Sequence, residues 1–147
     1  MNIIQGGVEK DHRGQIRFVN DFDMTEIKRF YIITNVNVEL VRGWRAHRIE
    51  QRWFYALKGS FFVDIVQISD WENVDSKSIV ERRILKSDSM ELLHLPPGYG
   101  TAFQAIEEES ELLVFADYPI SHAKYDDYTW AEHYFVNRDK QIFSLDQ

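Results

Sequence analysis

The stretch VRGWRAHRIEQRWFYALKGSF, Val41 to Phe61, sets Arg42, Arg45, His47, Gln51 and Arg52 close together. It then runs through Trp53, Phe54 and Tyr55 to a Lys58-Gly59 pair. Aromatic and β-branched residues suit a pleated, half-buried surface, and Lys-Gly between two such runs marks a tight hairpin. The segment therefore reads as a strand, a short turn over Arg48–Glu50, a second strand, a tight turn and a third strand. Because side chains alternate along a strand, Arg45 shares a face with His47. By the same alternation Gln51, Trp53 and Tyr55 share a face, which we take as the inward one, and Arg52 and Phe54 take the other. Purely structural segments seldom need so many polar and cationic groups side by side. The crowd suits a metal, an anion, the protons of a substrate, or a wet sheet face.

Working outward, most segments repeat the strand signature. QIRFVNDF alternates after the turn-like DHRG, giving a strand over Gln15–Phe22, and IKRFYIITNV gives another from about Ile27 to Val36. VELVRGWRAH is a third, with Gly43 a bulge or a point of close backbone approach. SDWENVDSKS is a polar loop built on Asp70, Asn73 and Asp75, and IVERRIL follows it as a strand. MELLHLPPGYGTAFQAI reads as strand, Pro-Pro-Gly turn, strand, and ESELLVFADY as the last long strand. From ISHAKYDDYTWAEHYF onward irregular turns with a short helix are expected. Eight or more short strands at close spacing indicate an all-β sandwich or barrel, and small barrels often hold a ligand inside. With no repeat, linker or low-complexity tract, residues 1–147 read as one domain.

Composition narrows the function. The chain is 44% hydrophobic and 28% charged, as in ordinary globular proteins. It contains no cysteine, which excludes disulfides, thiolate metal sites and cysteine nucleophiles. A net charge of −7 argues against nucleic acid as a partner. No apolar run approaches the ~20 residues of a membrane helix, and MNIIQGGVEKDHRG lacks a signal-peptide core, so no membrane association and a cytoplasmic home are expected.

The order of DHRGQI, EIKRFYIITN, VRGWRAH, the hairpin ending in LKGSF, and the PPG turn resembles the cupin jelly roll of the sugar-nucleotide enzymes. These are the dTDP-4-keto-6-deoxyglucose 3,4-ketoisomerases and the dTDP-4-dehydrorhamnose 3,5-epimerases. The tail YDDYTWAEHYF, Tyr125 to Phe135, resembles the end of the ketoisomerase group, and the likeness runs from about Asp11 to Phe135. Metal-binding cupins present His-x-His, a Glu, and a His beyond the turn. The matching positions here are Arg45, His47, Gln51 and Thr101, with Glu50 one residue out of phase, so neither a metal nor another cofactor is expected.

What the resemblance implies is a dTDP-linked 4-keto-6-deoxy sugar as substrate, and an isomerase or epimerase acting on it without a metal. A proton leaves the carbon beside the ketone and returns elsewhere, which needs a base, an acid, and a cation at the enolate oxygen. His47, at the second His of the family's R-G-x-H-A-H motif, is the expected base. Tyr31 and Tyr118 are candidate acids, and Arg45, which cannot act as a base, would hold enolate or phosphate. Arg42, Gln51, Lys28 and Arg29 are expected to contact the substrate, with Trp53 and Tyr55 packing on sugar or base. The relatives are dimers and the N-terminal strands are apolar, so a homodimer is expected. The alternative is a cupin that binds the sugar nucleotide but has lost catalysis with the base that Arg45 replaces.

Overall fold

In the computed structural model, which describes residues 1–137, alternation sorts the chain into two facing antiparallel sheets. The strands are β1 (Asn2–Gln5), β2 (Gly7–Asp11), β3 (Gly14–Phe18), β4 (Arg29–Ile33), β5 (Val41–His47), β6 (Arg52–Lys58), β7 (Ser60–Gln67) and β8 (Val80–Lys86). They continue through β9 (Glu91–Leu95), β10 (Tyr99–Ala105), β11 (Glu111–Ala116) and, after the helical turn α1 (Ile120–Ala123), β12 (Tyr128–Thr129). One sheet has the order β1-β9-β6-β11-β4, the other β12-β5-β10-β7-β8, and β2 and β3 form a separate hairpin. This is the all-β jelly roll that the sequence implies. The N-terminal strand β1 pairs with β9 of its own chain. Strand β6 turns into β7 at Gly59, whose φ of +69° is open to glycine and strained for other residues.

The core explains where a cavity can form. Phe54, Phe61, Val63, Ile65, Leu93, Leu95, Phe103, Leu112 and Val114 fill the space between the sheets. Along each central strand the inward residues change from polar to apolar at one level. On β6 they run Arg52, Phe54, Ala56; on β10 Thr101, Phe103, Ala105; on β4 Arg29, Tyr31, Ile33. The registers Phe54↔Val114 and Val114↔Tyr31 hold these levels side by side. One end of the barrel is thus packed solid and the other is lined with polar groups.

A second apolar layer covers the outside of the β5 sheet. There Trp44, Ala46, Val66, Val80 and Ala102 pack under Phe135, with Trp71, Tyr128, Trp130 and Tyr134 around them. The pairing of β5 with β10 skips one residue, so that Arg45 faces Thr101 and Gly43 faces Ala102. A Cβ on Gly43 would lie 2.4 Å from that of Ala102, so the expected close approach is real.

The expected phase of β6 is corrected. Arg52 and Phe54 point between the sheets, while Trp53 and Tyr55 lie on the outer face with Gln51 at its end. Phe54 is fully buried in the core, and the Trp53 ring stacks on His94 at 4.8 Å outside it. Alternation cannot be counted through the turn at 48–50, where successive amides point together at one carboxylate instead of alternating.

Phe54→Ala should remove about 3–5 kcal/mol of stability, read as a lower urea midpoint with an unchanged m-value.

Candidate functional site

The polar end of the barrel opens into a cavity of about 960 Å³. Strand β4 contributes Arg29 and Tyr31, β5 contributes Arg42, Arg45 and His47, and β6 contributes Arg52. Thr101 and Phe103 come from β10, Glu50 from the β5–β6 turn, and Lys124 and Asp127 from the segment after α1. Each guanidinium is held by a neighbour. Arg29 Nη2 donates to Glu50 Oε1 at 2.8 Å, and its Nε to the Tyr118 carbonyl at 3.2 Å. Arg52 Nη1 donates to Thr101 Oγ1 at 3.0 Å, Arg42 Nε to Asn35 Oδ1 at 3.3 Å, and Arg45 Nε meets Asp127 Oδ1 at 2.9 Å. Among the described residues that line the cavity, only the carboxyl groups of Glu50 and Asp127 stand against Arg29, Arg42, Arg45, Arg52 and Lys124. In a chain of net charge −7 this cavity is a local positive well.

His47 is buried at the cavity wall and its ring is fixed from behind. Its Nδ1 lies 2.5 Å from the main-chain carbonyl of Asp126. A carbonyl only accepts, so Nδ1 carries a proton. Nε2 then faces the cavity side, 3.3 Å from Glu50 Oε2. The Asp126 carboxylate accepts from the amides of Arg48 at 2.7 Å, Ile49 at 3.1 Å and Glu50 at 2.8 Å. One residue therefore sets both the imidazole tautomer and the turn that aims Glu50. Burial, helped by the Arg52 charge, lowers the His47 pKa to about 4. Burial raises that of Glu50 despite the pull of Arg29 and Arg52, and likewise raises that of Tyr31.

Of the residues singled out from sequence, His47, Arg45, Arg42, Tyr31 and Arg29 come together around this cavity. Trp53, Tyr55 and Gln51 do not. Gln51 donates Nε2 to Asp117 at 3.1 Å, and its Oε1 meets His94 Nε2 at 2.8 Å. Lys28 is exposed at the foot of β4, its amide donating to the Ala116 carbonyl. The Tyr118 ring lies against His122, with centroids 5.8 Å apart, outside the lining. Sequence reasoning counted Arg52 in a basic cluster but put it on the face opposite Trp53, set Glu50 aside for its phase, and gave Asp126 no role. The acidic pair in YDDY was the one visible signal, and nothing local ties it to His47. Among the described residues no group of three or more His, Cys, Asp or Glu gathers that could hold a metal ion.

The family model described as FdtA: WxcM-like, C-terminal matches residues 1–139. No curated protein matches the chain in sequence. Among solved structures, QdtA, a sugar 3,4-ketoisomerase from Thermoanaerobacterium thermosaccharolyticum in complex with TDP, superposes with a TM-score of 0.69 at 22% identity, over 95% of this chain and 94% of that one. A 3,4-ketoisomerase from Helicobacter canadensis gives 0.66 at 17%, over 91% and 93%. The rmlC epimerase of Mycobacterium tuberculosis gives 0.73 at 13%, over 91% and 72%. At these identities the likeness is one of fold.

The sign of the His47 shift dictates a pH effect. An unfolded chain protonates this imidazole below its ordinary 6.5, whereas the folded chain resists until about 4. Stability from the neutral ring is therefore present above pH 6.5 and lost as pH falls toward 4. The raised Glu50 carboxyl acts oppositely, its contribution being present below the ordinary 4.5 and lost as pH rises through the folded value. His47→Asn should flatten the loss of urea resistance between pH 6.5 and 4 relative to wild type.

Proposed function

The chain belongs to the FdtA family, WxcM-like, C-terminal, and from that premise we propose that it is an isomerase or epimerase of a dTDP-linked 4-keto-6-deoxy sugar. The observation that carries this reading is a buried imidazole of fixed tautomer, walled by arginines, inside a cavity large enough for a nucleotide sugar. A solved structure of the same fold, a histidine-to-asparagine mutant of the 3,4-ketoisomerase QdtA, is in complex with TDP-4-keto-6-deoxyglucose.

The chemistry follows from the groups present. A ketone makes the neighbouring C–H acidic, and a neutral imidazole nitrogen can take that proton without a metal. The lowered His47 pKa keeps the ring neutral at pH 7 and thus ready to accept. Guanidinium groups stabilise an enolate oxygen or hold the two phosphates, and their fork geometry suits phosphate. Arg29 and Arg52 lie nearest the His47–Glu50 wall and serve the reacting end. Arg42, Arg45 and Lys124 are left for the diphosphate. Tyr31, its phenol kept protonated by burial, is a donor to the sugar. The reading extends to a cytoplasmic homodimer that supplies sugars for surface polysaccharide. Exposed Phe30 and Ile32 on the outer face of β4, 65% and 51% accessible, support a second copy covering that face.

A second reading has one observation in its favour. Arg45, at the position where the resemblance implies the family's first motif histidine, is tied to Asp127 at 2.9 Å and cannot act as a base, which suits a site that binds without turnover.

Incubation with dTDP-4-keto-6-deoxyglucose in deuterated water separates the two. Catalysis predicts deuterium entering the sugar ring beside the carbonyl, abolished in His47→Asn while dTDP affinity changes less than about threefold. Binding of dTDP with no exchange would select the non-catalytic reading. Arg42→Ala should weaken dTDP by roughly one to two orders of magnitude, as expected for a lost charge-assisted pair of about 1.5–3 kcal/mol.

A further inference from the structure

The proton balance at His47 points to a second acting group. Nδ1 is committed to a carbonyl, so the lone pair or proton of Nε2 meets Glu50 Oε2 at 3.3 Å. Both side chains are almost wholly buried, 8% and 1% accessible, and Oε2 makes no hydrogen bond among the described residues. A bare lone pair facing a bare carboxylate oxygen in a dry wall is repulsive, and the contact is attractive only with one proton between the two atoms. The surrounding groups do not supply that proton. Arg29 occupies the other oxygen of Glu50. Arg52 from β6, Arg45 from β5 and Tyr31 from β4 line the same wall, with Asp126 and Asp127 beside them on the following segment.

We infer that Glu50 is a proton-transfer group of the proposed reaction, forming with His47 a two-member pair that holds one proton and stays neutral throughout. This rests on the functional reading above and deepens it. In the resting pair the proton sits on Glu50 Oε2, in keeping with burial pushing the carboxyl up and the imidazole down. A substrate presents its carbonyl oxygen to Glu50, so that the Oε2–H turns from Nε2 to that oxygen and frees the Nε2 lone pair for the neighbouring C–H. Nε2 takes the carbon-bound proton, the C–H electron pair becomes the C=C bond, and the carbonyl π pair moves onto oxygen. That oxygen takes the Oε2 proton. The result is a neutral enediol facing an imidazolium and a carboxylate. In the return, the imidazolium protonates the other carbon of the double bond. The hydroxyl on the first carbon gives its proton to Oε2 as its own C=O forms. The carbonyl has moved by one carbon and the pair is as it began. Glu50 thereby provides the second proton carrier at a site where Arg45 cannot be one.

Two measurements test the pair. Glu50→Gln keeps the shape and the acceptor for Arg29 but carries no transferable proton. Its turnover of dTDP-4-keto-6-deoxyglucose should fall on the order of 10²–10⁴-fold, with dTDP affinity within about threefold and one limb of the bell-shaped pH profile gone. Wild-type turnover with both limbs intact would overturn the inference. The second measurement needs no turnover. In labelled wild-type protein the ¹⁵N shift of His47 Nε2 and the ¹³C shift of the Glu50 carboxyl should move together in one titration step. An ionised Glu50 at pH 7 beside a freely titrating His47 would overturn the pair even if the substrate assignment holds. Coupled titration in a protein inert toward the keto sugar would instead keep the pair and sink the substrate.

Discussion

Asp126 is the residue on which the cavity's chemistry depends. Its carboxylate gathers the amides of three successive residues, Arg48 to Glu50, which have no strand partner of their own. Buried amides without acceptors cost free energy comparable to a lost hydrogen bond each. Satisfying three at once lets the chain reverse between β5 and β6 in very few residues. Its carbonyl holds His47 from the other side. Tautomer, turn and the aim of Glu50 thus share one origin, and that origin is 76 to 79 residues downstream in the chain.

The second constraint is electrostatic. Bringing guanidinium groups together inside a barrel is unfavourable unless each finds an acceptor. Here the acceptors are mostly neutral or shared: a threonine hydroxyl for Arg52, an asparagine oxygen for Arg42, a carboxyl oxygen and a carbonyl for Arg29. Neutral acceptors orient a cation without cancelling its charge. The cavity consequently keeps a positive field, while the outer surface carries the acidic excess of the chain. An anion approaching this protein is repelled at most of the surface and attracted at the barrel mouth.

The all-β architecture was legible because it rests on local signals. Alternating segments, the Lys58-Gly59 turn and the tight Gly43 are properties of short windows, and each appears where the residues place it. Strand edges were less so: Gln15–Phe22 shortens to Gly14–Phe18 and Ile27–Val36 to Arg29–Ile33. His47, Arg42 and Arg45, which line the cavity, could be picked out together because they share one strand with a recognisable motif. Glu50 and Arg52 were misread because parity does not survive a turn whose amides converge on a distant side chain. Trp53 and Tyr55 looked like stacking surfaces, but an aromatic serves equally well to cover a sheet, as Trp53 does against His94 and Phe22. Asp126 had no local signature at all, since its partners are set by tertiary folding.

The tail that carries Asp126 also shields the back of the β5 sheet. Trp44 donates its indole N–H to the Glu132 carbonyl and packs edge-on against Phe135, while β12 adds two residues to the sheet margin. Arg45 reaches from the cavity to Asp127 on that same tail. Thermodynamic reciprocity follows: whatever occupies the cavity and draws on Arg45 or His47 also changes how firmly residues 126–135 clasp the barrel, and by the same free energy. Trp44, buried beneath the clasp, also lines the cavity and so joins the two.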